Sequence, residues 1–273
     1  RSVVIDLRQP EGRELLLKMV PKYDIFLENF GPGVIEKLDL GYDVMKSVHP
    51  EIIYGRIKGF GTTGPYANYK SFDMVAQAAA GAFSITGMPD GPPLRPGPTI
   101  ADSGSGVQMA LALTAAYVHK LKTGEGQLIE ISMQEAMTYF MRTMIAMGSK
   151  WGQEAAERRG NGFDPCINLY PCKPFGPNDY VYIVAITNRM WQCLCDAMNR
   201  EDLARDERFN SPQARRENAE ALMPEISAWT REQTKHDAMQ ILAEAGVPCS
   251  KVFDTHDLFT DPHLVERGFI RKV

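Results

Sequence analysis

One carboxylate, Asp102, stands in a sequence setting that suits a nucleophile. It follows the mostly apolar residues 98–101 and precedes the run of small residues 103–106. Small neighbours leave open space over the carboxylate oxygens, so a bulky carbonyl substrate has room to approach. A carboxylate can attack a carbonyl carbon covalently when its site is dry and shaped. Asp102 is therefore the candidate catalytic residue of this chain.

The same residue also has a structural interpretation. The sequence predicts a long apolar helix from Val107 to about Leu121. An aspartate just before a helix is an ordinary N-cap, which accepts a backbone N–H of the first turn. The local pattern alone favours this cap, although one residue can serve both roles. The rest of the chain has to decide between them.

A second candidate site is the segment Asn29-Phe-Gly-Pro-Gly33, which is predicted to join the end of a strand to the start of a helix. Ligands of open α/β sheets bind at this edge. Backbone N–H groups at a helix start favour phosphate, and Phe30 offers a ring for a purine. A tight turn that needs glycine for geometry alone explains the segment equally well. Lys58 ends another predicted strand, where an exposed surface lysine is the favoured interpretation.

Strand and helix signals alternate along the first half of the chain, which predicts an α/β fold with a Rossmann-like parallel sheet. A polar segment follows, and then a smaller α+β region. We predict a large domain over 1–148, a linker over 149–175, a small domain over 176–260 and a return to the large domain over 261–273. The predicted strands of the sheet are 2–7, 24–28, 52–57 and 127–132.

Composition excludes several classes of protein. The net charge is −4 without a basic block, so we expect no nucleic-acid partner. No apolar run reaches the roughly 18 residues that span a bilayer, so we expect no membrane partner. The five cysteines are an odd number without a C-x-x-C pair, which favours free thiols in the reducing cytoplasm. Cys193 and Cys195 have no nearby third ligand, so we expect no metal site.

The motifs together resemble the class III CoA-transferase family, which includes formyl-CoA transferase and carnitine CoA-transferase. The matches occur in order over most of the chain. They are Asp6 with Pro10-Glu-Gly-Arg-Glu-Leu-Leu, Glu28-Asn-Phe-Gly-Pro-Gly, Lys58-Gly-Phe-Gly, Asp73-Met-Val-Ala-Gln-Ala with Gly81, Thr86-Gly, Asp90-Gly-Pro-Pro, Ile100-Ala-Asp-Ser-Gly-Ser-Gly, Lys122-Thr-Gly-Glu-Gly-Gln, Gly246-Val-Pro-Cys and Asp261-Pro-His-Leu.

The resemblance implies that Asp102 is a nucleophile that carries coenzyme A between two carboxylic acids. Its carboxylate would attack the carbonyl of an acyl-CoA and give a mixed anhydride and a CoA thiolate. The thiolate would then form an aspartyl-CoA thioester, which an acceptor carboxylate resolves. Coenzyme A is thus a substrate, and no permanently bound cofactor is expected. The residues that the resemblance assigns to CoA binding are Asn29, Phe30, Gly33, Val34, Lys37 and Lys58.

The resemblance also implies an interlocked homodimer and a glycine loop near the nucleophile. Gly160 and Gly162 are the candidates for that loop, as oxyanion donors or as a lid, and backbone N–H groups near 103–106 are alternative donors. The family's usual beginning and end are absent, so we expect an incomplete chain. An acyl-CoA racemase is the alternative activity, but Phe72 stands where racemases carry a basic histidine. A non-catalytic acyl-CoA-binding subunit or an inactive fragment is the third interpretation.

Overall fold

A computed structural model describes residues 2–162 and 164–271, and the last two residues of the predicted returning segment 261–273 lie outside this part. The chain divides into two compact units, Arg1–Arg158 and Arg159–Val273. Among the described residues, no helix combines the length and apolarity needed to cross a bilayer. The predicted domain bounds stay a prediction.

The first unit is built on a parallel sheet of the strands β1 (Ile25–Glu28), β2 (Ile53–Lys58) and β3 (Leu128–Ser132), in that order. Ile25 of β1 pairs with Ile53 of β2, and Tyr54 pairs with Leu128 of β3. A short 3-10 turn follows α1, and a π-helical turn, Met144–Gly148, follows α7. The helices and strands in chain order are α1 (Pro10–Met19), β1 (Ile25–Glu28), α2 (Val34–Lys37), α3 (Tyr42–Val48), β2 (Ile53–Lys58), α4 (Asp73–Ala79), α5 (Ala82–Ile85), α6 (Ile100–Thr123), β3 (Leu128–Ser132) and α7 (Met133–Phe140).

The central strand β2 explains how this unit packs. Parallel sheets are covered on both faces, and β2 is buried along nearly its whole length. The helix α6 packs against β2, β3 and α7, and its residues Met109 and Leu113 form a core cluster with Ile53. Gly55 of β2 gives this packing room, because a Cβ atom there would lie 2.9 Å from Leu27 Cδ1 and 3.1 Å from the Met109 sulfur. The predicted α/β class with a parallel sheet is confirmed.

Two predicted elements of this unit differ from the structure. Residues 2–7 form no strand, and the side chains of Val3 and Val4 are 68 and 99 % exposed, so no packing supports an extended conformation there. The long helix begins at Ile100 rather than Val107. Glycine lowers helix propensity, but here Gly104 lets the helix approach Phe140 closely, as a Cβ atom would lie 2.4 Å from that ring.

The second unit contains an antiparallel sheet with the strand order β4-β5-β6. Its core joins the sheet to the surrounding helices through buried side chains such as Ile183, Leu194 and Leu222. The strand β4 occupies part of the segment for which we predict a linker. The elements in chain order are β4 (Ile167–Pro171), β5 (Tyr180–Val184), α8 (Asn188–Ala197), α9 (Glu201–Arg205), α10 (Pro212–Glu217), α11 (Ala219–Arg231), α12 (Lys235–Glu244), β6 (Cys249–Lys251), α13 (Asp257–Thr260) and α14 (Pro262–Glu266).

Candidate active site

A cavity of about 450 Å³ lies at the carboxyl ends of the three parallel strands. It brings together residues that follow β1, end β2 and follow β3, at the edge where ligands of α/β sheets bind. Asp102 reaches the same cavity from the first turn of α6. The lining residues are Asn29, Phe30, Gly31, Pro32, Ile57, Lys58, Gly59, Tyr69, Lys70, Ser71, Phe72, Asp102 and Met133.

A buried ion network fixes the wall that Asn29 and Phe30 form. The carboxylate of Glu28 accepts hydrogen bonds from Arg56 Nε at 2.9 Å, from Lys58 Nζ at 2.9 Å and from the Phe30 backbone N–H at 2.8 Å. Lys58 Nζ also donates to the Phe30 carbonyl at 2.7 Å. An ammonium has three donors, so one N–H of Lys58 remains for a group in the cavity. Lys58 is therefore a buried structural cation at the cavity wall, not the surface lysine that the local pattern favours.

The loop between β2 and α4 is held in place from β3. The two carboxylate oxygens of Glu130 accept hydrogen bonds from the backbone N–H and the hydroxyl of Thr62, at 2.9 and 2.6 Å. Farther along this loop, the rings of Phe60, Tyr66 and Tyr69 pack on one another, with Tyr66 and Tyr69 stacked at 5.2 Å. These contacts position Tyr69 and the cavity residues that follow it, although this loop contains no helix or strand in the described residues.

Asp102 is not the N-cap of α6. The cap residue is Thr99, and Asp102 lies three residues later, inside the first turn. The unpaired N–H groups of that turn are satisfied by Asp73, whose Oδ2 accepts from the N–H of Ala101 at 3.0 Å and of Asp102 at 3.1 Å. The N-cap prediction is wrong for this physical reason: a carboxylate from α4 already performs the capping.

The carboxylate of Asp102 consequently has no structural hydrogen bond within the described ranges 2–162 and 164–271. Its side chain is exposed at the cavity. Burial against the wall raises the pKa of Asp102 above the ordinary 3.8, and the neighbouring charge of Asp73 raises it further. An exposed carboxylate without partners and with a raised pKa is more basic and less stabilised than a capping carboxylate. These properties suit attack on a carbonyl.

The backbone near Asp102 bears on where an oxyanion would bind. Ser103 donates its backbone N–H to the Thr99 carbonyl at 3.1 Å, and the helix continues through residue 106. The amide groups of 103–106 therefore serve the helix, which removes them as oxyanion donors. Gly160 and Gly162 belong to the second unit, where a Cβ atom on Gly162 would lie 2.3 Å from the Ile167 carbonyl oxygen. Their role toward a ligand stays a prediction.

Of the remaining predicted CoA-binding residues, Gly33 lines a second cavity of about 220 Å³, which shares Pro32 and Lys58 with the first. Gly33 adopts the left-handed conformation at φ 70° and is the N-cap of α2. Val34 and Lys37 are exposed on α2, and neither lines these two cavities. The structure thus brings Asn29, Phe30, Lys58 and Asp102 into one cavity, and places Gly33 in the adjoining one.

Sequence reasoning missed several residues of this site. The sequence indicates Asp73 only as part of a motif and gives no signal for Lys70, which adds a second ammonium to the cavity wall. The signal for the ion network was present in β2, where Arg56 and Lys58 alternate on one face of a buried strand opposite Glu28. Among the described residues, no cluster of metal-ligating side chains occurs.

Comparison with known proteins gives consistent matches. The sequence model described as CoA-transferase family III matches residues 1–273. The formyl-CoA:oxalate CoA-transferase of Rhodopseudomonas palustris (strain BisA53) is 34% identical over 293 residues, covering 100% of this chain and 68% of the relative. The succinyl-CoA:mesaconate CoA-transferase of Haloarcula hispanica is 36% identical over 278 residues, covering 100% of this chain and 68% of that relative.

A solved structure agrees with the sequence matches. The crystal structure of a CAIB/BAIF family protein from Brucella suis superposes with a TM-score of 0.85 at 31% identity, covering 98% of this chain and 70% of that protein. The whole-length family match and the relatives above 30% identity lead to one assignment. This chain belongs to CoA-transferase family III.

Proposed function

We propose that this chain transfers coenzyme A from an acyl-CoA thioester to a carboxylic acid, with Asp102 as the nucleophile. One observation carries the proposal: a single cavity joins the unpartnered Asp102 carboxylate to Asn29, Phe30 and Lys58. The names of the relatives pair an acyl-CoA donor with a carboxylic acid, namely oxalate or mesaconate. Coenzyme A is thus proposed as a substrate, with no cofactor held permanently.

The proposed chemistry proceeds in balanced steps. The Asp102 carboxylate attacks the thioester carbonyl and expels CoA thiolate, which leaves a mixed anhydride. The thiolate attacks the aspartyl carbonyl of the anhydride and releases the first acid, which leaves an aspartyl-CoA thioester. An acceptor carboxylate attacks this thioester and expels CoA thiolate again, which leaves a second mixed anhydride between Asp102 and the acceptor. The thiolate attacks the acyl carbon of the acceptor, which forms the new acyl-CoA and releases the Asp102 carboxylate. The ammonium groups of Lys58 and Lys70 favour anionic parts of CoA and the acids in the cavity.

The remaining assignments of the site belong to the same proposal. Gly33, Val34 and Lys37 are proposed to contact CoA beside Asn29 and Phe30, and the loop with Gly160 and Gly162 to act as oxyanion donor or lid. The reducing cytoplasm is the proposed location, a setting that free thiols support.

A homodimer is also proposed. In its support, α6 exposes an apolar stripe in which the side chains of Val107, Leu111, Val118 and Leu121 are 71, 73, 46 and 70 % exposed. These positions recur on one face of a helix, and such a face favours a partner. Light scattering of the purified protein in solution tests this through the molar mass, and a monomeric mass would contradict it.

The nucleophile is tested with Asp102→Asn. Without a carboxylate, no anhydride forms, so CoA transfer from formyl-CoA or succinyl-CoA falls by about a thousandfold or more. Mass spectrometry of the unsubstituted protein after incubation with either donor is expected to show a CoA adduct on the peptide with Asp102, removed by hydroxylamine. Asp43→Asn is the matched control, since Asp43 is also an exposed aspartate in the first turn of a helix. It should leave activity unchanged.

Three results would contradict the proposal. Transfer at near-unsubstituted rates by the Asp102→Asn protein, with amide hydrolysis excluded by mass, would remove Asp102 from the reaction. The absence of an adduct in folded protein that binds CoA would favour a non-catalytic binding subunit. Deuterium uptake at the carbon next to the thioester, without transfer, would indicate the racemase alternative, which Phe72 on the cavity wall disfavours because it supplies no base.

A further inference from the structure

The second unit contains a cavity of about 280 Å³ that the reaction above does not use. It lies between the starts of β4 and α10 and the residues that follow β5. Both apolar and charged side chains form its wall. The lining residues are Asp164, Ile167, Ala185, Ile186, Pro212, Arg215 and Arg216.

Arg215 is the central feature of this cavity, because its side chain is almost completely buried at 1 % exposure. Its guanidinium donates to the Phe209 carbonyl at 2.9 Å and to Asn188 Oδ1 at 3.4 Å. It also lies over the ring of Trp191, 5.1 Å from the ring centroid. These partners orient the guanidinium, but all of them are neutral.

The charges of the wall do not balance. Within residues 2–162 and 164–271, no carboxylate lies within ion-pair distance of Arg215. The one acid of the wall, Asp164, is paired with Arg216 at 3.4 Å and accepts the Cys166 N–H at 2.8 Å. Two guanidinium groups therefore face one carboxylate across the cavity. Burying a charge is costly unless it is paired, so the cavity favours an anion.

We propose that this cavity binds a small carboxylate anion with a short hydrocarbon chain. A guanidinium offers five donors in a planar fork that matches a carboxylate, and the hydrogen bonds to Phe209 and Asn188 use two of the Arg215 donors. Arg216, which is half exposed, lines the same cavity and adds a second guanidinium to the anion site. Ile167 and Ile186 provide an apolar wall for the hydrocarbon chain. Such a wall disfavours inorganic phosphate, which has no apolar part.

The test uses butyrate as the probe and the indole N–H resonances of the three tryptophans as the readout. Trp191 Nε1 is buried without a hydrogen-bond partner in the described part of the chain, and its ring lies under Arg215. At constant ionic strength, butyrate is expected to shift the Trp191 resonance in a saturable manner. Neutral butyramide and inorganic phosphate are expected to leave it unchanged. Trp191→Phe assigns the resonance.

A matched pair of variants ties the effect to this site. Arg216→Gln removes one charged donor from the wall and should weaken butyrate binding by roughly tenfold or more. Arg208→Gln removes an exposed arginine of the same unit, paired with Asp206 outside this cavity, and should leave the affinity unchanged. Circular dichroism and the ligand-free indole spectrum show that each variant is folded.

Four results would overturn the proposal. A Trp191 resonance that does not respond to butyrate would show that the buried charge is purely structural. An equal response to butyramide would assign the cavity to apolar ligands, and an equal response to phosphate would assign it to anions in general. A response that is the same in Arg216→Gln and in the unsubstituted protein would place the binding elsewhere. None of these results depends on CoA transfer, so the proposed function is tested separately.

Discussion

At the scale of single residues, Asp73 and Asp102 have different roles at the start of α6, and the role of Asp73 leaves the carboxylate of Asp102 free of capping. Asp73 is buried, is held by Gln77 Nε2 at 2.5 Å, and accepts two backbone N–H groups of the first turn of α6. Asp102 is thereby released from capping and keeps its oxygens for the cavity. The local sequence pattern could not predict this, because Asp73, whose carboxylate accepts these N–H groups, lies 29 residues before Asp102 in the sequence.

The substitution Asp73→Asn tests this relationship through pH dependence. The proposed reaction requires ionised Asp102, so transfer should fall at acid pH as the carboxylate becomes protonated. Because burial and the Asp73 charge both raise the pKa of Asp102, this loss begins above the ordinary 3.8. Asp73→Asn removes the charge but not the burial. The acid limb of the kcat/KM profile should therefore move to lower pH, while remaining above 3.8.

The same experiment separates an electrostatic role of Asp73 from a purely structural one. An asparagine oxygen still accepts backbone N–H groups, so the helix start should persist, as urea unfolding at neutral pH would check. A lower kcat/KM at every pH with an unmoved acid limb would mean that Asp73 acts on Asp102 only through the backbone.

At the scale of elements, the small residues that follow Asp102 have different physical roles. Gly104 is buried against Phe140 of α7, whereas Gly106 is exposed and a Cβ atom there meets nothing within 4 Å among the described residues. The sequence alone predicts one role for all of them, which is to leave open space above Asp102. The structure assigns Gly104 to close packing between two helices, which the sequence could not show because Phe140 is distant along the chain.

The pair Gly104→Ala and Gly106→Ala tests this difference. At Gly104 the added methyl would lie 2.4 Å from the Phe140 ring, so α6 and α7 must separate. Overpacking of this kind costs about 1–3 kcal/mol of unfolding free energy. At Gly106 the methyl is free, and alanine should stabilise the helix by about 0.5–1 kcal/mol. Urea denaturation measures both, and equal effects of the two substitutions would contradict the packing argument.

The sheet was the most predictable element. Three of the four predicted strands are present within a residue or two of their expected bounds, because β-branched and apolar runs such as Ile52–Ile57 suit buried parallel strands. The predicted strand 2–7 has a similar composition but no neighbouring strand in the described residues. Composition alone therefore predicts a strand there that the structure does not contain. Strand pairing then places Asn29 and Lys58 at one edge, and this consequence was predictable from the topology rule.

At the scale of the whole molecule, the two units carry different reactive groups. The cavity with Asp102 is built from the first unit, and the cysteines lie in the second. The α/β class and the family could be predicted from the order of motifs. The cavity around Arg215 could not, because Asp164, Ile186 and Arg216 are far apart in sequence and meet only through the packing of the second unit.

Because all five cysteines lie in the second unit, their reactivity measures the unfolding of that unit alone. Burial raises the pKa of Cys166 and Cys195 to about 12 and that of Cys172 to about 11. Because the thiolate is the reactive form, these thiols should be inert to iodoacetamide at pH 8 in the folded protein. Cys193 and Cys249 are only partly buried, so both should be alkylated before the three buried thiols, and the pKa that burial raises at Cys249 should slow its reaction.

Peptide mass spectrometry along a urea series measures the order of alkylation. We expect the three buried cysteines to become reactive together, at the urea concentration where the second unit unfolds, since Cys166, Cys172 and Cys195 belong to one core cluster. Fully denatured protein provides the control, because all five thiols should then react at similar rates. Separate transitions for the three residues, or their fast alkylation while the circular dichroism is still native, would show that this core does not open as a single unit.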